Sequence, residues 1–127
     1  MAYPDMIALL VAYLDPLLTG PVASRVPDPR PDVWTQIRRV GGNQVRPVRD
    51  QPRIDVFSHA LTDPAAWTLA DLTRRSIHAL KGTTLGGAVV YRVEETLGPR
   101  QLDDPLTGRP RCWATYSILV RADDAVA

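Results

Sequence analysis

The side chains best suited to acid–base or nucleophilic work at neutral pH are two histidines, His59 and His78, and one cysteine, Cys112. Neither histidine has a serine or cysteine beside it in a nucleophile motif. The chain carries no G-x-S-x-G, no H-E-x-x-H and no phosphate-cradling glycine loop. Both read as ordinary surface or half-buried imidazoles, and Cys112, with no His or Lys adjacent, reads as a small buried hydrophobe. The carboxylate pairs Asp103–Asp104 and Asp123–Asp124 lack the loop signature that would supply the about 6 to 8 oxygens calcium takes, so they read as solvated loop and tail. Glu94 and Glu95 occupy adjacent strand positions and point to opposite faces, so they cannot form a shared acid/base pair without a kink. No catalytic residue, cofactor or metal ligand is expected.

The strongest charge feature is the run Arg38, Arg39, Arg46, Arg49 and Arg53, countered only by Asp50. A basic loop of this kind can touch phosphates. No aromatic residue is interleaved with it, which weakens a single-strand stacking platform. A solvated loop, or salt-bridge donors to a neighbouring subunit, is the plainer reading.

The whole chain restricts matters further. At 127 residues and 45% hydrophobic it has the size and apolar content of a single domain, 1–127. A net charge of +1 excludes a domain held on nucleic acid by bulk attraction, and a lone cysteine excludes an internal disulfide framework. The basic residues are 14 Arg and only Lys81, a bias that reads as a GC-rich coding source. The longest apolar run, Met6 to Leu14, is about half of the ~20 residues a membrane span needs, and no basic cluster precedes it as in a secretory signal. A soluble protein made in a cytoplasm is expected, with no membrane partner.

Two helices and several strands must position these residues. The first helix is expected from Pro4 to about Leu14, stopped by Asp15-Pro16. Its apolar residues run nearly all round, with Ile7 and Val11 opposite Met6, Leu10 and Leu14, so it needs cover on more than one side. A second helix is capped by Thr62 or Asp63 and carries Ala66, Leu69, Ala70, Thr73, Ile77 and Leu80 on one face before Gly82. Arg74 and Arg75 read as its solvated side. Strand character lies over Val33 to Val40, Arg53 to His59, Ala88 to Leu97 and Cys112 to Arg121, with a short strand near Ala23 to Val26. In the last run Cys112, Ala114, Tyr116, Ile118 and Val120 share one face. The order predicts an α+β fold, a mostly antiparallel β-sheet packed against an N-terminal helix and a central amphipathic helix.

Pro and Gly concentrate in 16–32, 41–52 and 98–110, which read as loops. The stretch 98–111 far exceeds a hairpin connection. It reads as an extended interaction loop that moves in solvent or docks on a partner, and 122–127 reads as a flexible tail.

Several segments in order resemble the tail terminator (tail completion, minor tail protein) family of long-tailed actinobacterial phages. They are the opening helix Met6 to Leu14, Pro31-Asp-Val-Trp-Thr-Gln-Ile-Arg-Arg-Val-Gly-Gly42, Arg53-Ile-Asp-Val-Phe57, the helix Ala66 to Leu80, Val90-Tyr-Arg-Val-Glu-Glu95, Gly98-Pro99, Asp104-Pro105 and Pro110-Arg-Cys-Trp-Ala-Thr-Tyr116. The resemblance lies in the succession of elements and not in one signature. It implies a structural, non-enzymatic virion protein assembled in the host cytoplasm. Its copies would form a ring, expected sixfold, that caps the tail tube, ends its polymerisation and meets the head-side connector, with DNA passing through the lumen without specific binding. A ring contact is heterologous, so one edge must complement a different edge. The residues expected to meet a neighbour are Ile7, Val11, Arg46, Arg49, Arg53, Arg100, Asp103, Asp104, Arg109 and Arg111. Two other readings stay open: another head–tail joining protein, such as a stopper, and a small nucleic-acid-binding module using the cluster Arg38 to Arg53.

Overall fold

The computed structural model describes residues 4–45 and 49–121. Arg46, the pair Asp123–Asp124 and the tail 122–127 lie outside the described residues. The elements follow in the order α1 (Met6–Leu14), β1 (Val22–Ala23), β2 (Trp34–Val45), β3 (Arg49–His59), α2 (Asp63–His78), β4 (Thr84–Leu85), β5 (Ala88–Gln101) and β6 (Arg111–Arg121). The fold is α+β, with both helices against a six-stranded sheet of order β1-β2-β3-β6-β5-β4. Every pairing is antiparallel except β1 with β2.

Local chemistry explains the helices. Asp5 caps α1, its carboxylate accepting from the Ala8 amide at 3.2 Å, so Pro4 stands before the cap and not in the first turn. Asp15 keeps helical angles although it precedes a proline, and its side chain accepts from the Val22 amide at 3.1 Å, tying the helix end to β1. Thr62 caps α2 through the Ala65 amide at 3.3 Å, with Pro64 in the first turn.

The core lies between the helices and one face of the sheet. Met6, Leu10 and Leu14 of α1 and Leu69 and Ile77 of α2 meet Ile37, Ile54, Val56, Ala114, Tyr116, Ile118 and Val120. Of the two faces the alternation of β6 separates, the one carrying Cys112, Ala114, Tyr116, Ile118 and Val120 is wholly buried, and Thr115 and Leu119 of the other are buried as well. The all-round apolar α1 finds much of its second cover inside the chain. Ile7, Leu9, Val11 and Tyr13 pack against the same cluster, and the β4–β5 turn closes so tightly over Leu9 that a Cβ on Gly86, at φ +55°, would stand 2.2 Å from Leu9 Cδ2. Ile7 and Val11, expected at a subunit boundary, are thus half-buried core neighbours.

Two expected loops are largely strand. Gly41 to Val45 continues β2 and Arg49 to Pro52 begins β3, because paired strands satisfy backbone groups whatever the side chains. The register shifts between Arg39 and Gly42, where Gly42 has φ +105° and a Cβ would meet Gln51 O at 2.1 Å. Likewise β5 runs to Gln101 through shifts at Glu95/Leu97 and Leu97/Arg100, so the expected loop 98–111 shrinks to 102–110.

Candidate functional site

Strand alternation decides what the sheet offers on the side away from the helices. Directly paired residues share a face, so one row crosses the sheet as Gln36, Phe57, Trp113 and Arg100. Phe57 and Trp113 stack with centroids 5.5 Å apart, and guanidinium groups cover both rings: Arg100 lies 4.1 Å over Trp113 and Arg111 lies 4.7 Å over Phe57. The next row pairs Arg38 with Asp55 and Asp55 with Thr115, whose hydroxyl donates to Asp55 Oδ1 at 2.7 Å. Beyond it come Arg53, Ser117 and Glu94. Val40 and Leu97 remain 47% and 51% exposed on this side, flanking a shallow depression that also meets Arg53, Asp55 and Arg100. Of the basic segment, Arg49 meets an aromatic ring, on a strand distant in sequence: it lies 4.6 Å over Tyr91 of β5.

At one end of this face the loop 102–110 folds back onto the sheet. Asp104 is buried and accepts from Arg30 Nη2, which corrects its reading as a solvated loop acid. Arg30 also donates to His59 Nδ1 at 3.3 Å, which places the proton of the neutral ring on Nε2, and His59 stacks on Trp34. His59 is buried rather than superficial. Burial, reinforced by the charges of Arg30 and Arg111 against the opposing pull of Asp104, lowers its pKa to about 4. Burial pushes the Asp104 carboxyl upward, but the Leu106 amide, Arg30 and Arg111 outweigh it and hold the group below the ordinary carboxylate range. His59 and Cys112 stand on opposite faces of the sheet, since His59 pairs with Arg111 and Cys112 pairs with Ser58. They cannot act as a nucleophile and base. Burial pushes the Cys112 thiol up, as its reading as a small hydrophobe requires.

On the helix side Arg74 and His78 of α2 meet Glu95, with Arg74 Nε at 2.6 Å and His78 Nε2 at 3.6 Å from Oε1. Arg74 is therefore a helix-to-sheet link and not simply solvated, while Arg75 pairs along the helix with Asp71. Glu94 faces the other side and meets Arg92, so the two glutamates do point apart.

No protein-family model and no curated protein matches the chain. Among the described residues no group of three or more His, Cys, Asp or Glu is placed to hold a metal ion, and no helix is long and apolar enough to cross a membrane.

The expected contact residues divide among three places. Arg100, Asp103, Asp104, Arg109 and Arg111 gather around the loop end, though Asp104 is turned inward, Arg111 Nε donates to Leu102 O at 3.0 Å and Arg109 reaches Asp32 at 3.4 Å. Arg49 and Arg53 are exposed on β3 towards the sheet's other end, and Ile7 and Val11 lie in the helix layer. Sequence reading missed Arg30, Trp34, Phe57 and Trp113. The alternation of β6, which sets Trp113 opposite Tyr116, and that of β3, which sets Phe57 opposite Ile54 and Val56, could have found two of them.

Proposed function

We propose that this chain is the subunit of a tail-terminator ring: a structural virion protein at the head-proximal end of a phage tail. Such a ring, sixfold by the resemblance, caps the tail tube, ends its polymerisation and joins it to the head-side connector. One observation carries the reading beyond the resemblance. The sheet is closed by helices on one face only, and the other exposes Val40 and Leu97 beside the row of Phe57, Trp113, Arg100 and Arg111. Aromatic rings and arginines are the residues enriched where proteins meet. Function is then geometric: each subunit supplies an open sheet face and a loop folded against its end, and the rotation between copies closes a ring around the DNA path.

Light scattering beside negative-stain imaging tests this, first on the chain alone and then with tail-tube protein. Rings are expected in at least one condition. A chain that stays monomeric at high concentration in both overturns the reading. A stopper would form the same kind of ring, and its position in the virion separates the two. The pair of Arg49 with Tyr91 also favours a second reading, a small nucleic-acid-binding module using the cluster Arg38 to Arg53. A mobility shift at moderate salt that weakens steeply as salt rises would support that one.

A further inference from the structure

The sheet ends in two open edges. β1 lies beside β2 only at Thr35 and Gln36, and β4 lies beside β5 only at Ala88 and Val89, so the two short strands fill opposite ends of the sheet. Past them, Arg38 to Val45 of β2 and Arg92 to Gln101 of β5 have no strand on their outer side among the described residues. The direction of the backbone groups follows from alternation. The Thr35 amide donates to Pro21 O at 3.0 Å, so the N–H and C=O of Arg39, in phase with Thr35, also point off the sheet. Carried across the registers Arg38–Asp55, Ile54–Tyr116 and Ser117–Glu94, the same alternation turns those of Val93 and Glu95 off the opposite edge. Such free groups are a template for another strand.

Topology and charge fit each edge to the other. The four long strands β2, β3, β6 and β5 alternate in direction, so β2 and β5 run oppositely. A second copy in the same orientation therefore brings its β5 to β2 as an antiparallel neighbour, with the helices of both copies on the same side. Arg38, exposed on the outer face, donates to Ser24 O and has no ion pair among the described residues. Glu94, exposed on that same face of the other edge, meets only the exposed Arg92 at 3.2 Å. Arg39 and Glu95 are satisfied on the helix side by Asp50 and Arg74. Two β2 edges brought together would instead set arginine against arginine, which disfavours a two-fold pair.

We infer that β2 of one copy and β5 of a second copy of this chain pair through these edges, with Arg38 beside Glu94, so that the sheet continues from copy to copy. The two edges are different surfaces, as the head-to-tail contact of a ring requires. The inference rests on the ring reading and names its contact.

The test uses two variants of the full chain, in which Cys112 is buried and spared by thiol reagents: Arg38→Cys and Glu94→Cys. The two preparations are mixed, alone and then with tail-tube protein, and treated with a short bis-maleimide. A cross-linked dimer containing one chain of each kind is expected, with little product from either variant alone. Arg38→Glu and Glu94→Arg, both at exposed positions, are each expected to weaken self-association by about tenfold with the thermal melt unchanged, and the chain carrying both exchanges is expected to recover it. Assembly by light scattering without the mixed cross-link, or with both single exchanges assembling like the parent chain, overturns this contact and leaves the ring reading standing. A product dominated by two Arg38→Cys chains or by two Glu94→Cys chains also overturns it. A strict monomer overturns both. The mixed cross-link in open oligomers supports the contact and counts against the closed ring.

Discussion

Trp34 and His59, register partners on β2 and β3, stack with ring centroids 4.4 Å apart and planes 4° from parallel. The pair lies under Arg30, whose guanidinium carbon is 5.6 Å from the Trp34 ring and whose Nη2 bridges His59 and Asp104. A neutral imidazole suits this place. A protonated one would face two guanidinium groups with a single carboxylate in reach.

That arrangement predicts a pH dependence. His59 titrates near 4 in the folded chain and near 6.5 when unfolded, so between these values the unfolded state binds the extra proton. Stability should therefore fall as pH drops from about 6.5 to 4, by roughly 3 kcal/mol if the whole shift is expressed. His59→Phe, which keeps a ring on Trp34, should flatten urea-melt stability across that window. An unchanged slope would reject the assignment.

Removing the charge of Asp104 strands Arg30 and loosens the loop. Asp104→Asn is expected to cost about 2 kcal/mol, less than a fully buried pair because Arg30 is partly exposed. Hydrogen exchange should quicken at the Leu106 and Gly108 amides while α2 stays protected.

Asp55 sits almost buried in the middle of the outer face and accepts from Thr115. Thr115→Val keeps the shape but deprives a carboxylate of its donor, at about 1 to 3 kcal/mol. Thr115→Ser should recover most of that loss, which chemical denaturation can measure.

Gly42→Ala tests the β2 bulge. A Cβ there meets the Gln51 carbonyl at a φ of +105°, so a loss of more than about 1 kcal/mol is expected. Gly41→Ala, where the added Cβ has nothing within 4 Å but φ is +127°, separates backbone strain from collision. A smaller loss there assigns the difference to contact.

Much of the fold was legible because its signals are local. The alternation of Cys112 to Arg121 separates the two faces of its strand, and the repeat from Ala66 to Ile77 with Thr62 and Pro64 before it names α2, since strand and helix periods act over a few residues. The ends of β2, β3 and β5 were not legible. Their glycines, prolines and arginines read as loop, and only a partner strand made extension favourable.

The surface needed the tertiary structure altogether. Sequence alone determined that Trp113 and Tyr116 stand on opposite faces of their strand, that His59 and Cys112 carry no nucleophile motif, and that an acid pair stands in a long connection. It could not place Phe57 beside Trp113, Arg100 over that ring, or Asp104 under Arg30 across 74 positions of chain. Those contacts depend on strand register and on where a loop lands. Both are settled by the whole sheet closing at once, and a one-residue slip would turn every such side chain to the other face.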